Sequence, residues 1–301
     1  MEVHKISILR IIVLIFAFQI SFAKGNVVIA VIDSGLNLGT PGVNEKNIWI
    51  NNGEIGFDYL GHSKASNHLD DDMNGYIDDV NGWNFLSSSK NISDPIFHGT
   101  PIICIMSKLL SIRDSVRIMP IKALSNDKSA VPRAIHYAIK MEASVINLSL
   151  GGKGPEKEEE KAIQRAVDQG IVVIASMSND ENEKNFFPAA YNISNMVKVT
   201  SVRKNILNFK DSAEGKNTVL VPVKYISNCE ESKRVSGNSF ATAIVSVAVA
   251  KYLNRSREPF SIEKITKHTA DFGPVNVLDV NKLFAESNTV PINFIFNNSK
   301  N

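Results

Sequence analysis

The chain has 301 residues, of which 44% are hydrophobic and 21% are charged. This composition is that of an ordinary globular protein, and it excludes collagen-like, intrinsically disordered and disulfide-scaffold proteins. The 33 basic residues nearly balance the 31 acidic ones, so the net charge of +2 gives no electrostatic reason to expect nucleic acid or an anionic membrane as a partner.

Residues 1–23 have the pattern of a signal peptide. Two basic residues flank the start of an apolar run over residues 11–18, and small residues, Ser21 and Ala23, occupy the positions that a signal peptidase reads. The run is shorter than the roughly 20 residues that a membrane-spanning helix needs, although a retained anchor is the alternative. We therefore predict cleavage after Ala23, export to the periplasm or out of the cell, and a mature chain that does not contact the membrane.

Past this segment, short β-branched runs alternate with longer helical patterns. Apolar runs predict strands at residues 27–32, 116–124, 145–150, 171–175 and 197–202. Helices are predicted at residues 130–143 and 156–169, and further apolar helices follow His98 and Ser239. Nearly continuous apolar strands separated by crossover helices favour a parallel sheet that is covered on both faces.

The expected fold is therefore α/β, with three layers and a doubly wound, mostly parallel sheet between helices. We predict one domain over residues 24–287 and a frayed tail over residues 288–301. In such sheets, functional residues gather at the carboxyl ends of the strands.

Three polar residues stand at predicted element ends. Asp33 ends the first strand, His98 precedes an apolar helix and Ser239 opens another. Each has a simpler explanation when taken singly, because aspartate is common in turns, histidine on surfaces, and serine at helix N-caps. Their chain order, Asp then His then Ser, is one of the orders in which Ser-His-Asp triads occur.

Five motifs resemble those of the subtilisin-like serine proteases and follow in the same order. They are Val31-Ile32-Asp33-Ser34-Gly35, His98-Gly99-Thr100, Val145 to Gly152, Ile171 to Asn179, and Gly237-Asn238-Ser239-Phe240-Ala241. The resemblance implies a subtilisin-like fold and a serine endopeptidase that cleaves a polypeptide substrate. It also implies that Asp33, His98 and Ser239 form a catalytic triad and that Asn179 supplies an oxyanion-hole amide.

The chemistry of these residue types fits those roles. A serine hydroxyl is a weak nucleophile until a base accepts its proton, and an imidazole such as that of His98 titrates near neutral pH. The Asp33 carboxylate would hold the imidazole in the required tautomer. The Asn179 amide and the backbone N–H of Ser239 would stabilise the oxyanion of the tetrahedral intermediate.

The same resemblance implies two substrate-binding features. The backbone of Ser149, Leu150 and Gly151 would pair with an extended peptide as an added strand. Phe186 would lie at the foot of the pocket for the residue before the scissile bond, which predicts a shallow pocket and small side chains there. Two alternatives stay open: Phe186 turns into the core, or Asp180 favours basic residues at the rim.

A second constellation, the acidic loop over residues 70–79, lies between Asp33 and His98. Its candidate metal ligands are Asp70, Asp72, Asn74 and Asp78. With Gly75 at the sharp turn, they fit the first nine positions of a calcium loop, but Asn81 stands where the terminal glutamate belongs. The loop also resembles an insertion in many bacterial members of the family. We predict no cofactor for catalysis and consider structural Ca²⁺ against a solvated loop without metal.

Four positions depart from the motifs of the family, namely Pro101, Ser178, Asn238 and Ala243. None is a catalytic group, but Ser178 and Asn238 adjoin groups whose placement matters for activity. An alternative function is therefore a catalytically weak or inactive relative that acts by binding. A calcium-stabilised adhesion domain would explain the acidic loop but would leave the three candidate catalytic residues as a coincidence.

Two remaining features concern control and covalent stability. Only residues 24–26 separate the predicted signal from the first strand, so we expect no propeptide, and either unaided folding or a separate inhibitor or chaperone protein. Cys104 and Cys229 permit one disulfide but do not demand it. The sequence has no cysteine or histidine spacing typical of a zinc site.

Overall fold

A computed structural model describes residues 26–111, 113–127, 129–180, 182–201, 217–221, 226–227, 234–235, 237–256, 258–267 and 276–278. The predicted signal peptide, the predicted tail and Cys229 lie outside these residues. Among the described residues, no helix combines the length and the apolar character that crossing a membrane requires.

The predicted strands and helices are present, together with several short strands. The strands are β1 (Val27–Asp33), β2 (Trp83–Asn84), β3 (Val116–Lys122), β4 (Val145–Leu148), β5 (Gly152–Lys153), β6 (Val172–Ser176), β7 (Phe186–Phe187), β8 (Val197–Ser201), β9 (Thr218–Val221), β10 (Ile226–Ser227), β11 (Arg234–Val235), β12 (Thr266–Lys267) and β13 (Asn276–Leu278). The α-helices are α1 (Gly99–Leu109), α2 (Ala130–Lys140), α3 (Lys157–Asp168) and α4 (Asn238–Arg255).

One nine-stranded sheet organises the described part of the molecule, in the order β12-β13-β9-β8-β6-β4-β1-β3-β2. Neighbouring strands are parallel, except that β12 at the edge runs antiparallel to β13. The mostly parallel, doubly wound α/β fold is thus confirmed. Sequence patterns missed β2, β9, β12 and β13 because two to four residues are too few to show a periodicity.

The two faces of the sheet carry separate hydrophobic cores. Along β1, Ile29 and Val31 belong to the core shared with α1 and α4, whereas Ala30 and Ile32 belong to the core shared with α2 and α3. Side chains alternate between faces along a strand, so a strand buried on both faces reads as a continuous apolar run. This explains why the sequence of β1 predicted a covered sheet.

Two glycines bring the end of β1 close to the start of α1. A Cβ added to Gly99 would collide with the backbone carbonyl oxygen of Gly35 and would crowd Asp33. Glycine therefore permits the approach of the residue after His98 to the residue after Ser34. Further along α1, Cys104 is buried and disulfide-bonded.

Candidate active site

The buried Asp33 and the partly buried His98 form a hydrogen-bonded pair. The Nδ1 atom of His98 lies 2.7 Å from Oδ1 of Asp33, which also accepts the Ser34 N–H at 2.7 Å. Asp33 is 1% exposed, and its Oδ2 atom has no hydrogen-bond partner among the described residues. The His98 side chain is 30% exposed, so its ring connects the buried carboxylate to the surface. Since Nδ1 faces Asp33, the opposite ring nitrogen, Nε2, is left to face a reacting group.

The electrostatic surroundings favour the protonated form of His98. Burial of the ring opposes protonation, but the hydrogen bond to Asp33 and the negative charges of Asp33 and Asp94 outweigh it, so the pKa of His98 lies above its ordinary value. The raised pKa means that these surroundings stabilise the imidazolium, which is the form that a general base acquires when it accepts a proton.

Asp94, a residue that the sequence analysis missed, holds the two chain segments of this pair together. Its Oδ1 accepts from Ser34 Oγ at 2.7 Å and from the Phe97 N–H at 2.8 Å, while its Oδ2 accepts from the N–H and Oγ1 of Thr100, both at 2.8 Å. Burial opposes ionisation of Asp94, but these donors outweigh it and lower its pKa. Ser34 follows Asp33 directly and Thr100 lies two residues after His98, so Asp94 fixes both neighbours. An aspartate shortly before a helix was its only sequence signal.

Ser239 lies in the first turn of α4 and is hydrogen-bonded to Ser149, the residue that follows β4. Its Oγ donates to the carbonyl oxygen of Ser149 at 3.0 Å, and Ser149 Oγ donates in return to the carbonyl oxygen of Ser239 at 2.8 Å. In the described part of the chain, no hydrogen bond joins Ser239 Oγ to His98. The His98 ring nevertheless lies near this turn of α4, because its centroid is 6.2 Å from that of the ring of Phe240, the residue after Ser239.

Asn179 lies beyond the end of β6 and contacts the start of α4. Its Oδ1 atom accepts the backbone N–H of Asn238 at 2.9 Å. This bond orients the Asn179 side chain beside the residue that precedes Ser239. The N–H of Ser239 lies in the first helical turn, where backbone amides have no partner within the helix and attract negative charge.

The segment of Ser149, Leu150 and Gly151 lies beside Ser239, and Phe186 covers part of it. Strand β7 pairs antiparallel with β5, placing Phe187 opposite Gly152. A Cβ added to Gly151 would collide with the Phe186 ring, so this half-buried ring packs directly on the glycine.

Next to this segment lies an open cleft of about 270 Å³. Apolar residues that line it include Leu124, Val131, Leu150 and Phe187. The cleft therefore offers apolar surface directly beside residues 149–151.

The acidic loop forms a second polar cluster, which the structure joins to Glu54. Carboxylate oxygens of Glu54, Asp70 and Asp72 lie within 4.8 Å of one another. Glu54 is fully buried; its Oε1 accepts the N–H groups of Asp71 and Asp72 at 2.8 and 3.3 Å, while its Oε2 has no hydrogen-bond partner among the described residues. Burial, together with the charges of Asp72 and Asp79, raises the pKa of Glu54.

The other two predicted ligands contribute no carboxylate oxygen to this group of three. Oδ2 of Asp78 pairs with Lys90 Nζ at 2.9 Å. The Nδ2 atom of Asn74 lies 3.1 Å from both carboxylate oxygens of Asp79 and 3.2 Å from Oδ2 of Asp72. Of the four predicted ligands, the structure therefore brings the carboxylates of Asp70 and Asp72 together, with the Asn74 amide beside Asp72, and adds the carboxylate of Glu54. A lone glutamate 16 residues before the loop gave no sequence signal.

Comparison with known proteins identifies the family. The model of the subtilase family, peptidase S8, matches residues 24–288. Thermitase of Thermoactinomyces vulgaris is 28% identical to this chain, over 68% of this chain and 77% of thermitase. Subtilisin BL of Lederbergia lenta is 27% identical, over 69% of this chain and 83% of its own length.

Among solved structures, a cold adapted subtilisin-like serine proteinase shares the fold with a TM-score of 0.54 at 20% identity, covering 86% of this chain and 90% of its own. Because the family model spans most of the sequence, the chain belongs to the subtilase family and is a serine-type endopeptidase.

Proposed function

We propose that the protein is an exported serine endopeptidase that hydrolyses peptide bonds through an acyl-enzyme on Ser239. In this proposal Asp33, His98 and Ser239 form the triad and Asn179 contributes to the oxyanion hole. The observation that carries it is the 2.7 Å contact between the Asp33 carboxylate and the His98 imidazole beside the first turn of α4.

The proposed reaction begins with a rotation of the Ser239 side chain. Its hydroxyl leaves the carbonyl oxygen of Ser149, which it contacts at 3.0 Å, and turns to Nε2 of His98. His98 takes the proton as Ser239 Oγ bonds to the scissile carbonyl carbon. The imidazolium then donates this proton to the departing amine, and a water molecule activated by His98 hydrolyses the acyl-enzyme. Hydrogen bonds of this kind often tighten only when substrate is bound.

The oxyanion of the tetrahedral intermediate would be stabilised by the Ser239 N–H, the Asn179 carboxamide and the amino end of α4. Asn179 is suited to this role because its Oδ1 is committed to the N–H of Asn238, which fixes the direction of the carboxamide. A fixed donor needs no reorganisation when the charge develops.

Substrate would bind as an extended strand along Ser149, Leu150 and Gly151. Rotation of Ser239 frees the Ser149 carbonyl oxygen for a substrate N–H. The Phe186 ring packs on Gly151, which supports a shallow pocket for the residue before the scissile bond. We therefore expect small side chains there. Cleavage of a peptide library mainly after large aromatic residues would contradict this specificity.

Labelling with a fluorophosphonate tests the triad. We expect the purified mature protein to be labelled on Ser239, and we expect Ser239→Ala and His98→Ala to abolish labelling while circular dichroism shows a folded protein. A folded wild-type protein that stays unlabelled would instead support the weak or inactive relative. The bond of Ser239 Oγ to Ser149 rather than to His98 is the observation that favours this second candidate.

We further propose that the acidic loop binds a structural Ca²⁺ through Glu54, Asp70 and Asp72. These residues fit the ion because Ca²⁺ prefers oxygen ligands, and because the Oε2 atom of Glu54 is buried without a hydrogen-bond partner among the described residues. Three carboxylates at this distance repel one another unless a cation or protons compensate. Isothermal titration calorimetry tests the site, with Ca²⁺ added to protein that a chelator has freed of calcium. We expect the wild type to bind Ca²⁺ and Glu54→Gln to show no binding heat.

Export is proposed on the sequence pattern of residues 1–23. Amino-terminal sequencing of the protein recovered outside the cytoplasm is expected to start at Lys24. The need for a separate inhibitor or chaperone stays a prediction. Unaided folding of a chain that starts at Lys24 would contradict the need for a chaperone.

A further inference from the structure

Asn238, the residue before Ser239, is engaged at both ends of its side chain. It is 4% exposed. Its Oδ1 accepts from the N–H and the Oγ of Ser201, both at 2.8 Å. Its Nδ2 donates to the carbonyl oxygens of Ser178 at 2.6 Å and Met177 at 3.2 Å. Buried carboxamides with this many partners have a fixed orientation.

These partners belong to different parts of the sheet edge. Ser201 ends β8, whereas Met177 and Ser178 follow the end of β6 and lead directly to Asn179. The backbone N–H of Asn238 completes the connection by donating to Asn179 Oδ1 at 2.9 Å. One residue therefore joins the first turn of α4 to two strand ends and to the proposed oxyanion residue.

We propose that Asn238 is a positioning residue that fixes Ser239 relative to Asn179. The inference rests on the proposed function, since it concerns the placement of the proposed nucleophile and oxyanion donor. Catalytic groups have to be held within about 0.5 Å of their productive geometry, and a misplacement of about 1 Å can cost about 100-fold in rate. The carboxamide of Asn238 holds the first turn of α4 in place through its hydrogen bonds to the ends of β6 and β8.

The identity of residue 238 follows from its partners. Two donors of Ser201 require an acceptor, while the carbonyl oxygens of Met177 and Ser178 require donors. A carboxamide presents both at opposite ends, whereas the single hydroxyl of the threonine in the family motif supplies only one donor. Asn238 also lies in α4 with a negative φ, so its role is in hydrogen bonding and not in a left-handed turn.

Three substitutions test the role in the full mature chain. Asn238→Ala removes both ends of the carboxamide, Asn238→Thr restores one donor, and Asn238→Asp keeps the shape but turns a carboxylate towards the carbonyl oxygens. We expect kcat to fall about 10- to 100-fold in Asn238→Ala, at least as far in Asn238→Asp and less in Asn238→Thr, with KM within about threefold of wild type.

A matched control is Ser246→Ala, which removes another buried hydrogen bond in α4, from Ser246 Oγ to the Thr242 carbonyl oxygen at 2.9 Å. We expect it to lower the melting temperature while kcat stays at the wild-type value. A merely structural role for Asn238 would give the same pattern as this control. Loss of stability with unchanged kcat in the Asn238 variants would thus overturn the proposal.

If Asn238→Ala does not fold, Ser201→Ala decides the question, since it removes only the hydroxyl donor to Oδ1. We expect a fall in kcat of about three- to tenfold, and an unchanged kcat would overturn the proposal. Labelling and activity of the wild-type protein distinguish failure of the positioning role from failure of the proposed function. An unlabelled, folded wild-type chain would refute the triad, whereas an active wild type with equally active Asn238 and Ser201 variants would refute the positioning role alone.

Discussion

Asp94 beside the candidate active site and Glu54 beside the acidic loop are both buried carboxylates, yet their pKa values move in opposite directions. Asp94 accepts four hydrogen bonds to its two oxygens, which outweigh its burial and lower its pKa. Glu54 accepts two hydrogen bonds, both at Oε1. Its burial and the nearby charges of Asp72 and Asp79 raise its pKa.

The difference shows two ways of burying negative charge. Neighbouring residues donate hydrogen bonds to both oxygens of Asp94, so the charge of this carboxylate is compensated before any ligand binds. The acidic loop gathers carboxylates around an oxygen that no described residue hydrogen-bonds, which is the arrangement that a cation would complete. We therefore expect variants of the first region to lose catalysis and variants of the second to lose a response to calcium.

The largest effect is expected for Asp33→Asn. The asparagine amide would place a donor where the carboxylate now faces Nδ1 of His98 at 2.7 Å, and this would favour the wrong tautomer of the ring. We expect kcat to fall by about 10⁴-fold with little change in KM. Steady-state kinetics on a peptide substrate measure this. A loss below about tenfold would show that the pair has no catalytic role.

Calcium removal is the next largest effect, and it concerns stability. A ligand at 100 times its Kd stabilises a protein by about 2.7 kcal/mol, or roughly 5–10 °C for a domain of this size. We expect EGTA to lower the melting temperature of the wild type by this amount. Glu54→Gln is expected to respond to neither EGTA nor Ca²⁺, because it lacks one charge of the cluster. Equal shifts in both proteins would exclude Glu54 as a ligand.

We expect Asp94→Asn to lower the free energy of unfolding by about 2 kcal/mol. The NH₂ group of the asparagine would face the hydrogen-bond donors of Ser34 or Thr100 and leave them without an acceptor. The substitution also removes a charge that raises the pKa of His98. His98 acts as a base only when it is neutral. The acidic limb of the pH profile of kcat/KM should therefore lie above the ordinary pKa of a histidine side chain in the wild type and move to lower pH in Asp94→Asn. A limb that stays in place would show that the charge of Asp94 does not reach His98.

The same pKa shift has a consequence for stability. Because the folded-state pKa of His98 is raised, its stabilising contribution is complete below the pKa of the unfolded state and is lost as pH rises through the folded-state value. Asp94→Asn should reduce this contribution. Urea denaturation of both proteins on either side of neutral pH measures the difference.

The smallest effect is expected for Tyr137→Phe, which tests how the acidic loop is anchored to α2. The buried Tyr137 hydroxyl donates to Asp79 Oδ2 at 2.6 Å. Because Asp79 keeps the amides of Asn51 and Asn74, we expect a loss of only about 1.5 kcal/mol in urea unfolding. Tyr76→Phe is the matched control, since its hydroxyl has no hydrogen bond to a described residue. Equal losses in both variants would locate the effect in ring packing.

Much of the fold could be predicted because local patterns report burial. The apolar run of β1 and the periodic faces of α2 and α3 were sufficient to place these elements, with α2 ending at Lys140 instead of residue 143. Short strands could not be predicted because they depend on distant partners. Strand β2, for example, pairs with β3, which lies more than 30 residues further along the chain. Such elements form only when the sheet supplies a partner.

By itself, the sequence determined the α/β architecture, because burial periodicity is a local property of a chain. Its resemblance to the motifs of the family identified Asp33, His98, Asn179 and Ser239 as candidates. Only the tertiary structure decided which groups touch. It paired Asp33 with His98, set Ser239 against Ser149, placed Asp94 between the first two motifs, and brought Glu54 to the acidic loop. These contacts join residues distant in sequence, and hydrogen bonds and charge compensation depend on distances that the folded chain alone fixes.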